Sequence, residues 1–179
     1  MNDAQKQIAA GLERVFWSRG FAEPSVPELR AGVGVSMRTL YRYFPSREAM
    51  ILGALEYRHQ RYLAYVREGV SAPGLAAAEQ LFDKLGGWMR VTHGKECFFR
   101  QALAANPDST QIKDTVTRHK SELLEFFGVL SGNEQFATTL YLLHEGVTAC
   151  YAELDERAVE DAKHQVRLMF KAASEKRYS

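Results

Sequence analysis

Apolar residues recur at helical spacing along almost the whole chain. In residues 4–18 they fall at positions i, i+4, i+7 and i+8, on one face of a helix: Ile8, Leu12, Val15 and Phe16. Asp3 is placed to cap the start of this helix, and Gly20 is placed to end it. No segment carries the strict alternation of a half-buried strand. The pattern therefore predicts an all-α protein.

Two short helices are expected next. Ser25 is followed three residues later by Glu28, which is a capping-box pattern, and the helix that it opens is short because Gly32 and Gly34 follow. Ser36 is placed to cap the second short helix. That helix ends before Pro45, since a residue that precedes proline is pushed out of the α region.

Longer helices follow. Ser46 opens one that runs to about Val70, and residues 71–74 (SAPG) read as a linker. The periodicity beyond the linker predicts helices near residues 75–92, 97–105, 109–130, 134–154 and 156–174. The expected architecture has about nine helices, with a compact N-terminal group of three and a larger helical body.

The second short helix combines an apolar face with a cationic one. On a helical wheel Leu40 and Phe44 point one way, while Arg38 and Arg42 point the other way. Arginine forms bidentate hydrogen bonds with guanine or with phosphate. Such a face is by itself usually a solvated surface. Its position after a capping box and a glycine-containing turn favours a helix-turn-helix that binds DNA.

Composition and charge narrow the function classes. The net charge of +1 hides an asymmetry, because residues 1–68 carry ten Lys and Arg against seven Asp and Glu, whereas the rest carries 13 against 15. The chain has no apolar run of membrane-spanning length and no secretory h-region at its start, so we expect a soluble, cytoplasmic protein. Cys97 and Cys150 match no zinc spacing and no disulfide framework.

Catalytic, cofactor and metal motifs are not evident. The sequence has no P-loop, nucleophile elbow or dinucleotide fingerprint, so we expect neither an enzyme nor a cofactor. His93 and Cys97 stand four residues apart and could bind a metal only if a helix ran through Gly94. With one such pair and no evident further ligands, no metal site is predicted.

Residues from Ser25 to Leu55 resemble the DNA-binding domain of the TetR family of bacterial transcriptional regulators. The resemblance is carried by VGVSMRTLYRYFPSREAMI, because family members typically have a Gly-Val-Ser turn, Thr-Leu-Tyr, an aromatic pair and Phe-Pro-Ser-Lys-Glu-Ala. It implies DNA-backbone contacts from Thr39, Tyr41, Tyr43 and Arg47, and positions near base edges for Ser36, Met37, Arg38 and Arg42. Ser25 and Val26, at the start of the preceding helix, are also predicted to be at the DNA.

Four positions depart from the family pattern. Leu29-Arg30 replaces the usual isoleucine–alanine pair, so Arg30 must extend outward or bend its helix. Arg38 stands at a common glycine and Arg47 at a common lysine. These changes keep the positive charge of the predicted DNA-binding helix.

The resemblance implies residues 1–48 as the helix-turn-helix domain and residues 49–179 as an effector-binding and dimerisation domain. The helices over 134–154 and 156–174 are apolar on more than one side, which favours a four-helix interface between two copies. The alternative is that both faces pack inside one chain.

Large or polar residues on the helices of the body are candidates for an effector pocket. Each of them could equally fill the core, since aromatic stripes at helical spacing normally do so. His119 and His144 have the stronger case, because a buried imidazole needs a hydrogen-bond partner. The candidates are Phe82, Trp88, Phe99, Leu103, His119, Leu123, Phe126, Tyr141 and His144.

The expected function is that of a homodimeric, ligand-responsive regulator. It would repress transcription at a palindromic double-stranded DNA operator and release that operator when a small molecule binds the body. Two alternatives stay open, namely a constitutive DNA-binding regulator without an effector and a helical protein-interaction module that has lost DNA binding.

Overall fold

The computed structural model describes residues 1–92, Gly94 and residues 97–175, and these residues form helices joined by short loops without any strand. A single 3₁₀ turn at Glu134–Phe136 precedes the eighth α-helix. The nine α-helices of the described residues are α1 (Asp3–Arg19), α2 (Val26–Val33), α3 (Met37–Tyr43), α4 (Arg47–Arg67), α5 (Leu75–Val91), α6 (Phe98–Ala105), α7 (Thr110–Ser131), α8 (Ala137–Leu154) and α9 (Glu156–Glu175). The all-α prediction is confirmed.

The helix ends follow the capping signals of the sequence, with one correction. The cap of α1 is Asn2, whose Oδ1 accepts a hydrogen bond from the Gln5 N–H at 2.9 Å, so the prediction of Asp3 as the cap is wrong. Asp3 instead lies in the first turn, where a negative charge is favourable. Gly34 ends α2 in the left-handed conformation.

Two compact units make up the chain. The first contains residues 1–62 and 98–119, and the second contains residues 63–97 and 120–179. Helices α4 and α7 contribute residues to both units. The assignment of functions to residues 1–48 and 49–179 stays a prediction.

The first unit is built around aromatic side chains that link the N-terminal helices to α6. The Phe21 ring stacks on Phe16, with ring centroids 4.9 Å apart, and lies 4.7 Å from the ring of Phe98. All three side chains are buried. Burying side chains of this size stabilises the unit by roughly 2–3 kcal/mol each. Helix α6 is therefore anchored on the loop that follows α1.

A buried ion pair ties α1 to α4 within this unit. The Glu13 carboxylate accepts hydrogen bonds from Arg58 and Arg61, both at 2.7 Å. The side chains of Glu13 and Arg58 are only 4% and 8% exposed. The Arg58 guanidinium also lies 4.5 Å from the ring centre of Trp17. Burial of these charges is compensated by the pairing.

Glycines allow two close helix contacts in the first unit. A Cβ added at Gly32 of α2 would lie 2.3 Å from Val15 Cγ2 of α1. A Cβ added at Gly53 of α4 would lie 2.2 Å from Cε1 of Phe44, the residue that follows α3. Both positions therefore need glycine for space.

The second unit packs α5 and α8 against α9. Its core includes Leu81, Leu85, Leu140, Val159 and Val166, all buried. On α8, Cys150 and Leu154 are exposed in the single chain. None of the helices in the described ranges is long and apolar enough to cross a membrane.

Candidate nucleic-acid interface

Helix α3 lies on the first unit with one face buried and the other in solvent. Leu40 is fully buried and Phe44 nearly so, which anchors the helix. Arg38 and Arg42 are exposed, as the helical wheel predicted. Tyr41 is 43% exposed. The exposed face therefore offers two guanidinium groups and a phenol to a partner.

The start of α3 is fixed by two hydroxyl side chains. Ser36 Oγ accepts a hydrogen bond from the Thr39 N–H at 3.0 Å, and the two hydroxyl oxygens lie 2.9 Å apart. This is the N-cap that the sequence predicted. The cap orients Thr39, which is half-buried, beside the exposed arginine face.

Arg42 is held by its neighbour on the helix. Its guanidinium carbon lies 4.9 Å from the ring centre of Tyr43, and its Nη2 donates a 3.4 Å hydrogen bond to the Tyr43 hydroxyl. Both side chains line an open groove of about 200 Å³, together with Thr39, Val35 and Gln7. The groove thus brings one cation, two hydroxyls and an amide to one place.

Arg47 lies differently from the expectation that it faces outward to the DNA backbone. It is half-buried, and its guanidinium donates hydrogen bonds to the carbonyl oxygens of Phe21, Ala22 and Pro24, the last two at 3.5 Å. It therefore supports the α1–α2 loop in the free protein. A DNA-backbone contact by Arg47 stays a prediction.

The start of α2 is a capping box centred on Glu28. The Ser25 N–H and hydroxyl donate to Glu28 Oε2 at 2.8 and 2.7 Å, and Arg19 donates to Oε1 at 2.8 Å. Hydrogen bonds from Ser25, assisted by Arg19, hold the pKa of the Glu28 carboxyl below its ordinary value. Val26, the next residue, is half-buried. The DNA contacts of Ser25 and Val26 stay predictions.

Residues 8–54, which span α1 to α4, match the model of bacterial regulatory proteins of the tetR family. Over these residues the chain is therefore similar to bacterial regulatory proteins of the tetR family. The match begins and ends within the first unit and includes the whole of α3.

Two curated relatives extend this comparison. The "Uncharacterized HTH-type transcriptional regulator YerO" of Bacillus subtilis is 24% identical over 84% of this chain and 55% of YerO. The HTH-type transcriptional regulator EthR of Mycolicibacterium smegmatis is 40% identical over 55 residues, which are 31% of this chain and 25% of EthR. The chain thus spans about half and a quarter of these curated relatives.

The likeness of fold reaches further than the likeness of sequence. The crystal structure of SCO4454, a TetR-family transcriptional regulator from Streptomyces coelicolor, superposes with a TM-score of 0.83 at 21% identity. The superposition covers 96% of this chain and 90% of SCO4454. The likeness of fold to SCO4454 therefore includes residues of the second unit, although the family model matches only residues 8–54.

The nine residues predicted for an effector pocket divide between the two units. Phe99, Leu103 and His119 belong to the first unit, where the rings of Phe99 and His119 stack with centroids 3.7 Å apart. The other six belong to the second unit: Phe82, Trp88, Leu123, Phe126, Tyr141 and His144. Neither unit alone contains the whole predicted set.

Most of the six in the second unit have identifiable packing partners. Trp88 lies 5.5 Å from the Tyr65 ring, and Phe126 packs on Phe127 with ring centroids 6.0 Å apart. Phe82 and Leu123 are buried. These two ring contacts and two buried side chains are typical of a protein core.

His144 and Tyr141 instead belong to a partly buried polar cluster that the sequence did not predict, in which Lys120 Nζ lies 5.9 Å from the ring centre of Tyr141. Lys120 Nζ donates to Glu145 Oε1 at 2.6 Å, and His144 Nδ1 lies 3.3 Å from the same oxygen. Lys120 also lies 3.6 Å from Cys97 Sγ. We call these residues, Cys97, Lys120, Tyr141, His144 and Glu145, the polar cluster of the second unit.

The protonation states in the polar cluster follow from burial and pairing. Burial lowers the pKa of His144, against the opposing influence of the Glu145 carboxylate, so the imidazole is neutral at pH 7. Burial works to raise the pKa of Glu145, but the His144 hydrogen bond and the Lys120 charge outweigh it and hold that pKa far below its ordinary value. The cluster therefore holds a carboxylate beside a neutral imidazole.

A second buried polar pair lies in the first unit. His59 Nδ1 and His119 Nδ1 are 2.8 Å apart and both rings are buried, so one nitrogen donates and the other accepts. Among the described residues, no group of three or more His, Cys, Asp or Glu could hold a metal ion. His93, half of the metal pair considered from the sequence, lies outside the described residues.

Proposed function

We propose that the protein is a DNA-binding transcriptional regulator that acts as a homodimer and responds to a small molecule. The observation that carries the proposal is the exposed cationic face of α3, with Arg38 and Arg42 in solvent opposite the buried Leu40 and Phe44. The match of residues 8–54 to bacterial regulatory proteins of the tetR family supports the same conclusion. A helix with its side chains is about 10–12 Å wide, which fits the major groove of B-DNA.

The dimer is supported by an apolar groove on the second unit. The groove of about 260 Å³ is formed by α8 and α9, and it includes Leu142, which is 64% exposed, together with Gly146, Val147, Cys150 and Ala162. Apolar side chains at such exposure favour a covering partner. A second copy of the chain is the occupant that we propose, because a two-fold axis pairs the same groove with itself. The two α3 helices of such a dimer would then match the two half-sites of a palindromic operator.

The polar cluster of the second unit supports an effector site. Buried charged groups are costly to hold and contribute little net stability compared with apolar residues of the same volume. Groups such as Lys120 and Glu145, with His144 beside them, are therefore candidates for recognising a polar ligand. We propose that the effector binds beside this cluster. Binding favours a conformer with lower affinity for DNA, which makes the protein a repressor that is released by its ligand.

Arg30 is the departure from the family pattern that would favour the alternative, a protein-interaction module that has lost DNA binding. Arg30 is exposed, and α2 runs unbroken from Val26 to Val33. The larger side chain thus extends outward and leaves the helix intact. Nothing at this position favours loss of DNA binding.

The proposed function is tested by fluorescence anisotropy on duplex DNA from the region upstream of the protein's own gene. We expect specific binding, with a logarithmic affinity that falls steeply as salt rises. The double variant Arg38→Ala/Arg42→Ala should lose specific binding. Lys113→Ala, which removes an exposed positive charge from α7, is the control and should bind like the wild type. Equal binding by all three proteins would contradict the assignment of α3.

The effector is tested by a thermal-shift screen of small molecules. A compound that binds the folded protein raises its apparent stability by mass action. We expect the same compound to weaken DNA binding in the anisotropy assay. A compound that stabilises the protein and leaves its DNA affinity unchanged would contradict the proposed coupling.

A further inference from the structure

We propose that the two arginines of α3 have different tasks: Arg38 reads a guanine in each half-site, whereas Arg42 binds a phosphate. The inference rests on the proposed function and assigns specificity within it. It also changes the role of Arg42, which the family resemblance had placed near base edges. The argument depends on what each guanidinium contacts in the free protein.

Arg38 is the residue whose side chain is available to a base. It occupies the second position of α3 and is exposed. It forms no hydrogen bond or ion pair with any residue that the structure describes. The first residues of a recognition helix are those that reach base edges in a helix-turn-helix. An extended arginine there can place both of its terminal nitrogens against O6 and N7 of guanine.

Arg42 is directed elsewhere by Tyr43. The contact of its guanidinium with the Tyr43 ring and hydroxyl keeps it beside the groove described above. That groove also presents the hydroxyl of Thr39 and the amide of Gln7. One cation with hydroxyl and amide donors matches the charge and the multiple acceptor oxygens of a phosphate. The flat, two-acceptor edge of a base needs a freely directed guanidinium, which Arg42 is not.

The two tasks predict different consequences for sequence preference. A bidentate arginine–guanine contact discriminates against other bases by about 5- to 150-fold. A phosphate contact contributes equally to all sequences and adds about one to the salt slope. Loss of Arg38 should therefore change which sequences are bound, whereas loss of Arg42 should change how tightly every sequence is bound.

The experiment selects binding sites from a library of duplexes with a randomised segment long enough for two half-sites one helical turn apart. Full-length wild type, Arg38→Gln, Arg42→Gln and the control Lys113→Gln are compared. We expect one fixed guanine per half-site with wild type and with the control. Arg38→Gln should lose that guanine and enrich adenine in its place, because glutamine pairs with adenine. Thermal melts of all four proteins check that they are equally folded, as expected for surface substitutions.

Anisotropy on the selected wild-type site completes the test. Arg42→Gln should bind it and a scrambled duplex more weakly by a similar factor, with a salt slope lower by about two because the dimer loses one phosphate contact in each half-site. Selection of the same guanine by Arg38→Gln, or a changed base preference in Arg42→Gln, would overturn the inference while leaving DNA binding intact. Failure of the wild type to enrich any sequence would overturn the proposed function, and this inference with it.

Discussion

Replacement of Glu13 by alanine should destabilise the protein more than any exposed charge change. Glu13 is 4% exposed and accepts 2.7 Å hydrogen bonds from Arg58 and Arg61. The substitution removes a carboxylate that pairs with Arg58, whose side chain is 8% exposed. Removing one partner of a buried ion pair costs about 3–5 kcal/mol.

The matched control is Glu56→Ala, which removes the same side chain from a partly exposed pair. Glu56 accepts a 2.5 Å hydrogen bond from Arg118, and the two side chains are 31% and 44% exposed. Solvent screens such a pair, so its loss should cost about 1 kcal/mol or less. The two variants differ mainly in how far the surviving arginine is buried.

Thermal unfolding followed by circular dichroism measures the difference. For a chain of this length each 1 kcal/mol corresponds to roughly 2–4 °C in Tm, so Glu13→Ala should melt roughly 6–20 °C below wild type. Glu56→Ala should melt within roughly 4 °C of it. Protein concentration must be equal throughout, since self-association stabilises the folded state. A Glu13→Ala variant that melts with Glu56→Ala would refute the reasoning.

Three further outcomes are expected. Leu142→Glu in the α8–α9 groove should convert a two-chain species into single chains in size-exclusion chromatography with light scattering, whereas Val129→Glu, at an equally exposed site outside the groove, should not. Burial lowers the pKa of His144, so below pH 6.5 the unfolded chain binds a proton that the folded chain does not. The free energy of unfolding should therefore fall as the pH is lowered from 7.5 to 5.5. The fall should be smaller in the His144→Gln variant. Gly32→Ala should cost about 1–3 kcal/mol in urea unfolding through its clash with Val15, and adding Val15→Ala should recover part of that loss; simple additivity would contradict the contact.

The helices could be predicted because their signals are local. Apolar periodicity fixed their faces, and the capping residues Ser25 and Ser36 fixed where α2 and α3 begin. The exposed face of α3 followed from the same periodicity, since Leu40 determines which side is buried. The cap of α1 was missed because Asn2 and Asp3 are both good caps and stand next to each other.

The ion pairs and buried histidines could not be predicted in the same way. His59 and His119 are 60 residues apart, and Lys120 and Glu145 lie on different helices. Periodicity says which face of a helix is buried and leaves open what that face meets.

The close contact between the Phe44 ring and Gly53 affects how α3 can move relative to α4. The ring lies against the backbone of α4 with no side chain between them, and only three residues separate α3 from α4. Pro45 restricts that connection further. We therefore expect α3 and the first turns of α4 to move together. If the effector proposed above tilts α4, the direction of α3 would change without any rearrangement inside the helix-turn-helix.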